Sequence, residues 1–365
     1  MVVLTGLTEL VARLRAEGYR VVGPTVRDDA IVLDEIQSAD ELPYGYGVDA
    51  APGRYRLRRR GDAAAFGHSA GPQSWKQFLH PPRRQLWTAD RDGGSFTVTE
   101  PANPDERLAL LGVRPCDLAA IAVQRRVFGE DSDYARRIDQ AFVIAVNCTE
   151  PAEVCFCVSA GGGPRADTGY DLALTELANS RYLVEIGSET GSALLSQVVY
   201  APAEPGDIAT ANDQIRTAEN RMSRALPDTD LPGLLRRAAE SPHWDDVASR
   251  CLTCGNCTMV CPTCFCTSVV DTTDVTGDHA ERWQGWASCF DLDYSELHGG
   301  QVRTSGASRY RQWLTHKFGT WHAQFGQSGC VGCGRCVAWC PVGIDVTAEL
   351  TALAATSDID QPVPS

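Results

Sequence analysis

The chain has 365 residues, of which 43% are hydrophobic and 22% are charged, and its formal net charge is −14 at pH 7. This composition is typical of a globular protein with a buried core and argues against intrinsic disorder. The negative charge argues against a nucleic-acid partner, which would need a concentrated basic face. No apolar run approaches the roughly 18–20 residues of a membrane helix, and the first residues do not form a secretory signal. We therefore expect a cytoplasmic protein without membrane contact.

The first 200 residues have the pattern of an α/β domain. In chain order, the predicted elements are a helix over 8–17, strands over 19–22, 30–36, 55–59 and 108–113, a helix over 117–127, and strands over 141–146, 171–177 and 182–186. The runs 108–113 and 141–146 are almost continuously apolar, which is typical of parallel strands buried on both faces. Residues 27–29 separate the first two strands and predict a hairpin turn.

Residues 201–250 are helical in composition, with helices predicted over 208–225, 231–240 and 244–250. We expect this segment to link the α/β domain to a second domain over 251–350. Residues 351–365, which include two prolines, are expected to form a flexible tail.

Fifteen cysteines are grouped rather than spread along the chain. None precedes Cys116, four lie between Cys116 and Cys157, and eleven lie between Cys251 and Cys340. Cytoplasmic thiols stay reduced, so grouped cysteines there indicate metal binding rather than disulfides.

The run C-x2-C-x2-C-x3-C-P occurs twice, and it is the ligand pattern of ferredoxins with two [4Fe–4S] clusters. In this pattern three cysteines surround one cluster and the fourth reaches the other cluster. The expected ligands are Cys251, Cys254, Cys257 and Cys340 for cluster 1, and Cys330, Cys333, Cys336 and Cys261 for cluster 2. Gly255, Gly332 and Gly334 should allow tight loops that direct N–H groups at the sulfurs. Zinc is the alternative, but a tetrahedral ion does not use two such complete runs.

The two runs are separated by 68 residues, 262–329, more than in small ferredoxins, and helix is predicted over 308–321. The predicted fold class is therefore α+β overall, with an N-terminal α/β domain over 1–200 followed by a helix-rich two-cluster module. Three further cysteines, Cys264, Cys266 and Cys289, lie between or next to the runs without an obvious fourth ligand. They are interpreted as buried thiols near the clusters, and a further cluster or an exchange of ligands is the alternative.

The earlier cysteines predict a third site at one edge of the α/β sheet. Cys116 and Cys148 each follow a predicted parallel strand, so both should lie at the edge formed by the carboxyl ends of the strands. The helix that begins at Cys116 would stabilise a thiolate there. Cys155 and Cys157 follow a short loop later. We interpret these four cysteines as ligands of a third [4Fe–4S] cluster; a structural zinc and plain buried thiols are the alternatives.

Several stretches of the chain carry a resemblance to a known family. They are 67–76, 112–117, 147–151, 155–157, 261–266, 309–317 and 329–336. These stretches resemble the β subunit of cytosolic sulfhydrogenases, also called hydrogenase/sulfur reductase, which is related to the A subunit of anaerobic sulfite reductase. The resemblance implies an α-helical ferredoxin module at the C-terminal end and cluster ligation by the twelve cysteines assigned above. It also implies a complex in which a flavin subunit reacts with NAD(P)H and a separate subunit handles H2.

The first functional hypothesis is an iron–sulfur subunit that carries electrons between a flavin-containing NAD(P)H subunit and the small and large subunits of a [NiFe] hydrogenase. Such a chain has no catalytic residues of its own and tunes its clusters by hydrogen bonds and burial. The alternative is the same electron-transfer role in an anaerobic sulfite reductase. A free-standing flavin enzyme is disfavoured, because the G-x-G-x-x-A pattern at 45–50 lacks a preceding strand and a following helix.

Overall fold

The computed structural model of the chain describes residues 1–101 and 106–357. The strands are β1 (Val2–Thr5), β2 (Arg20–Arg27), β3 (Ala30–Glu35), β4 (Tyr46–Ala51), β5 (Arg54–Arg59), β6 (Arg83–Asp92), β7 (Ser95–Thr99), β8 (Leu108–Val113), β9 (Phe142–Val146), β10 (Leu172–Leu177), β11 (Arg181–Ile186), β12 (Ala201–Pro202), β13 (Thr267–Thr273), β14 (His279–Trp286), β15 (Glu296–Leu297) and β16 (Gly300–Gln301).

Thirteen α-helices are described within the same residues. They are α1 (Thr8–Ala16), α2 (Lys76–Leu79), α3 (Pro115–Phe128), α4 (Asp133–Gln140), α5 (Glu189–Leu195), α6 (Pro205–Arg221), α7 (Leu231–Arg237), α8 (His243–Arg250), α9 (Asn256–Met259), α10 (Gly306–Thr315), α11 (Trp321–Phe325), α12 (Arg335–Ala338) and α13 (Val346–Ser357). Short 3-10 turns lie at Ala39–Glu41, Ala238–Glu240 and Asp293–Ser295, and a π-helical turn at His316–Thr320 joins α10 to α11.

The main sheet has eight strands in the order β12-β1-β11-β10-β9-β8-β2-β3. Its centre is parallel, since β10, β9, β8 and β2 pair in that direction, and its outer pairs are antiparallel. Every residue of β8, β9 and β10 is buried, as expected for parallel strands covered on both faces. The fold is thus a mixed α/β structure in its first 200 residues, as predicted.

Helices cover both faces of this sheet. On one face, Leu10 and Leu14 of α1 pack with Leu111 of β8 and Ile144 of β9. On the other face, Leu118 of α3 packs in a second core that contains the alternating residues of the same strands. Because α3 directly follows β8 along the chain, the carboxyl end of that strand leads into the start of a helix at the sheet edge.

A second sheet departs from the sequence prediction. β6 and β7 pair with β14 and β13 in the antiparallel order β13-β14-β6-β7, so the segment between the cysteine runs contains a hairpin as well as helices. The strands were missed because β7 is exposed along its whole length and β13 nearly so. β13 lacks the apolar alternation that marks a half-buried strand, and in β7 Phe96 and Val98 do alternate with polar residues but are both exposed.

The C-terminal helices form a separate hydrophobic core with the cysteine runs. Leu234 of α7, Trp244 of α8, Trp313 of α10 and Leu350 of α13 are all buried in it. The helix predicted over 308–321 is interrupted by the π-helical turn, a rare feature that often lies at functional sites. Helix α13 continues to Ser357, so 351–357 are helical rather than a flexible tail, and 358–365 lie outside the described residues. None of the helices in 1–101 and 106–357 has the length and apolar character of a membrane-spanning segment.

Candidate metal centres

The two cysteine runs adopt the same local structure. In each run a loop leads into a single helical turn, α9 in the first and α12 in the second. The loops carry left-handed residues at matching positions, Thr253 and Gly255 in the first run and Gly332 and Gly334 in the second, with φ between 51° and 74°. These turns direct backbone N–H groups at sulfur, since Thr253 N lies 3.4 Å from Cys251 Sγ and Gly332 N lies 3.4 Å from Cys330 Sγ. Gly332 thus has the role expected of it, whereas Thr253 takes that role in the first run, and Gly255 and Gly334 adopt the left-handed conformation that begins each helical turn.

The fourth cysteine of the second run lies beside the first run. One cavity is lined by the thiols of group 1, which we define as Cys251, Cys254, Cys257 and Cys340. Burial raises the pKa of Cys251 and Cys257, and the nearby Cys340 thiol raises it further. A backbone N–H reaches Cys340 as well, from Ile344 at 3.3 Å. The cavity wall is aromatic, formed by Phe290, Tyr310 and Trp313.

The reciprocal arrangement holds for the second run. Group 2 consists of Cys330, Cys333, Cys336 and Cys261. Burial raises the pKa of Cys330 to about 12, and the thiols of Cys333 and Cys261 contribute to the rise. The Cys261 thiol also contributes to the raised pKa values of Cys333 and Cys336. Cys336 also lines the cavity of group 1, so the two groups lie side by side.

The spacing of the thiols bears on the choice between zinc and iron–sulfur clusters. A tetrahedral zinc ion with Zn–S bonds near 2.3 Å brings its thiolates to about 3.8 Å from one another. In the described part of the chain, no three cysteine sulfurs lie within 4.8 Å of one another. A cubane places each thiolate on a different iron and therefore spreads the sulfurs further apart. The thiols of groups 1 and 2 are therefore placed further apart than the ligands of a single tetrahedral ion.

The earlier cysteines also come together, as group 3: Cys116, Cys148, Cys155 and Cys157. Cys116 lies in the first turn of α3, directly after β8, and Cys148 follows β9. Burial raises the pKa of Cys157 to about 12, and the thiols of Cys148 and Cys333 contribute. Burial likewise raises the pKa of Cys155, and the neighbouring thiols of Cys148 and Cys157 raise it further. The Cys157 thiol also contributes to the raised pKa of Cys116. Cys157 therefore neighbours each of the other three thiols of group 3.

Backbone contacts hold the group 3 loop in place. Asn147, buried at the end of β9, donates to Thr175 Oγ1 at 2.8 Å and accepts from Ala166 N at 2.7 Å. The next amide, Cys148 N, donates to Pro164 O at 2.8 Å. These bonds explain how a loop leaves the sheet and returns its cysteines to the same edge.

Group 3 packs directly against the second cysteine run. Phe156 N donates to Gly332 O at 2.9 Å, and a Cβ added to Gly332 would lie 2.6 Å from Cys157 Cα. A buried ion pair between Arg335 and Asp117 at 2.9 Å connects α12 to α3. Group 3 is therefore adjacent to group 2, and group 2 is adjacent to group 1.

The three remaining cysteines lie near groups 1 and 2. Cys264 and Cys261 are neighbouring thiols, and Cys289, whose pKa burial raises to about 12, neighbours Cys266. The Cys289 thiol also contributes to the raised pKa of Cys257 in group 1. They are thus buried or half-buried thiols near the groups, as interpreted from the sequence.

Sequence reasoning missed two buried lysines beside these thiols. Lys76 is 4% exposed and Lys317 is 3% exposed. The composition could have drawn attention to them, because the chain has 33 basic residues and all except these two lysines are arginine. The G-x-G-x-x-A pattern at 45–50 falls mainly within strand β4 of a hairpin, where it does not form a nucleotide-binding turn.

The Gly332 contact yields a prediction about stability. Gly332→Ala should lower the free energy of unfolding by about 1–3 kcal/mol more than Gly161→Ala, because its new Cβ collides with the backbone of Cys157. Both glycines have left-handed φ, 66° and 82°, but a Cβ on Gly161 meets nothing within 4 Å. Anaerobic urea denaturation of the two variants measures the difference. Equal losses in the two variants would show that the tight contact is absent.

Comparison with known proteins agrees with this arrangement. Residues 250–344 match the 4Fe-4S dicluster domain family. No solved structure matches the chain. The chain is 30% identical over 345 residues to the sulfhydrogenase 2 subunit beta of Pyrococcus furiosus, with 92% of each chain covered. This chain therefore belongs to the sulfhydrogenase β-subunit family.

Proposed function

We propose that this chain is an iron–sulfur electron-transfer subunit of a hydrogenase complex. The observation that carries the proposal is the continuous series of thiol groups 1, 2 and 3 across the protein. Membership of the sulfhydrogenase β-subunit family and the match to a 4Fe-4S dicluster domain support it. When bound, [4Fe–4S] clusters supply reversible one-electron redox chemistry.

In this proposal, groups 1 and 2 each hold one [4Fe–4S] cluster by crossed ligation, and group 3 holds a third. The chain positions the thiols, donates backbone N–H groups to sulfur and surrounds the groups with buried aromatic residues. Such hydrogen bonds and burial are the features by which a protein sets cluster potentials. The chain itself supplies no group for bond-making chemistry in this function.

We further propose the domain division that the sequence predicts. An α/β domain over 1–200 carries group 3, a helical linker spans 201–250, and a ferredoxin-like dicluster module of α-helical type spans 251–350. The shared core of α7, α8, α10 and α13 around the cysteine runs supports a helical module. The hairpin β13–β14 is an addition to it that pairs with β6 of the first domain.

The two ends of the series reach the surface at different places. Cys254 of group 1 is exposed, and it lies near the exposed apolar residues Leu252 and Val342. At the other end, a groove is lined by Cys116 and Cys157 of group 3 and Cys330 of group 2. Two separate exits suit a protein placed between two redox partners. We propose a flavin-containing NAD(P)H subunit and the small and large subunits of a [NiFe] hydrogenase as these partners, in the cytoplasm.

Iron content tests the crossed ligation. The full-length chain, purified without oxygen, should hold about twelve irons, at four per cluster. Cys340→Ser should remove about four of them and one electron paramagnetic resonance signal, because Cys340 closes group 1 from the other run. Cys289→Ser, at a buried thiol outside the three groups, is the matched control and should keep the full content. An unchanged iron content in Cys340→Ser contradicts the crossed arrangement.

A separate variant tests group 3. Cys148→Ser should lower the iron content from about twelve to about eight and leave the signals of the two ferredoxin-type clusters intact. The reason is that Cys148 belongs to the sheet edge and contributes to neither cysteine run. Iron and zinc are both quantified. Loss of one zinc per chain, with no change in iron, would instead assign group 3 to a structural ion.

The partners are tested by purification of the tagged chain from its native host without oxygen. We expect nickel to co-purify with iron and sulfide, because the proposed partner contains a [NiFe] site. Elemental analysis and optical spectra of the complex measure this result. Sirohaem without nickel would replace the hydrogenase by a sulfite reductase while leaving the electron-transfer function in place.

A further inference from the structure

Two buried lysines are the least expected charges in this protein. The chain has 33 basic residues, and the sequence shows that all but two are arginine. Those two, Lys76 and Lys317, lie on different segments of the chain but are both buried around the same cysteines. Such a placement of both lysines is not explained by surface solubility.

Hydrogen bonds fix each ammonium group in place. Lys317, on the π-helical turn, donates from Nζ to Thr263 Oγ1 at 2.6 Å and to Gly329 O at 3.2 Å. Lys76 donates from Nζ to Cys264 O at 3.1 Å, and the same nitrogen lies 3.7 Å from the centre of the Trp286 ring.

Lys317 is connected to both cysteine runs at group 2. The Thr263 hydroxyl that accepts its hydrogen bond lies 3.2 Å from Cys261 Sγ. Gly329, the other acceptor, directly precedes Cys330 along the chain. The Thr263 hydroxyl thus links the Lys317 ammonium group to the sulfur of Cys261. The Gly329 carbonyl links it to the segment that carries Cys330.

Neither lysine has a carboxylate partner. In residues 1–101 and 106–357 no carboxylate oxygen lies within 4.0 Å of either ammonium nitrogen. Arg335, a buried cation near Cys333 of group 2, differs in this respect because Asp117 neutralises it at 2.9 Å. A buried charge without an opposite charge is costly, so the two lysines need an anion, and the sulfurs of group 2 and its neighbours are the groups at hand.

We propose that Lys76 and Lys317 are positioning residues that raise the reduction potential of the cluster at group 2. Reduction adds one electron to the cluster, and the fixed positive charges stabilise that added charge without any proton transfer. Net charge near a cluster is one of the features that set its potential. Group 2 then becomes the site where an electron passing between groups 1 and 3 is most readily held. The inference rests on the proposed function, since it requires a cluster at group 2.

The test is a redox titration of the full-length chain, followed by electron paramagnetic resonance. Lys317→Met removes the charge and keeps a side chain of similar length, so the midpoint potential of one cluster should become more negative while the others stay in place. Lys76→Met should shift the same cluster in the same direction. Lys317→Arg keeps the charge and should restore a potential close to that of the unchanged protein. Arg216→Met removes an exposed cation, 69% accessible, and serves as the control.

The outcomes separate this inference from the proposed function. Absence of iron from the unchanged protein contradicts the proposed function itself. If iron is present and the midpoint potentials of both methionine variants equal that of the Arg216→Met control, the role of the lysines is wrong. If Lys317→Met loses its cluster, Lys76→Met decides alone: a more negative potential supports the proposal and an unchanged one overturns it.

Discussion

The close backbone contact between the second cysteine run and the loop of group 3 is the constraint on which the rest of the site depends. Gly332 and Gly334 have left-handed φ, and neither position has room for a Cβ because the backbone of 154–157 lies against it. The contact places Cys333 beside Cys157 and Cys116. The part of the chain that matches a 4Fe-4S dicluster domain thereby lies against an edge of the α/β sheet.

The burial of many neighbouring thiols also determines which charges the protein interior must supply. Most of the buried thiols have raised pKa values because burial disfavours the thiolate, so positive charge or N–H groups must compensate when a metal requires thiolates. The chain supplies backbone N–H groups at Cys251, Cys330 and Cys340. It adds Lys317, whose pKa burial lowers but the neighbouring thiols of Cys261, Cys264 and Cys330 raise to a greater extent. A protein with a net charge of −14 thus keeps cations where its sulfurs are buried.

Local patterns predicted much of the fold and the candidate site. The continuous apolar run at 108–113 became β8 within the same bounds, and the turn at 27–29 became a hairpin with Asp28 and Asp29 at positive φ. Cys116 and Cys148 follow the parallel strands β8 and β9, as the apolar runs before them predicted. The sheet of β6, β7, β13 and β14 was not predictable in this way, because β7 and β13 are exposed and the central pair β6–β14 joins residues about 200 apart along the chain.

By itself, the sequence determined the local structure of each cysteine run: the spacing of cysteines, glycines and prolines specifies a loop and a helical turn, since these depend on neighbours along the chain. Only the tertiary structure decided how the groups are arranged and what surrounds them. The adjacency of groups 2 and 3, the Arg335–Asp117 ion pair and the convergence of Lys76 with Lys317 all join distant segments. Spacing along a chain does not encode such contacts, because they arise when separate elements pack and exclude water from the same interior.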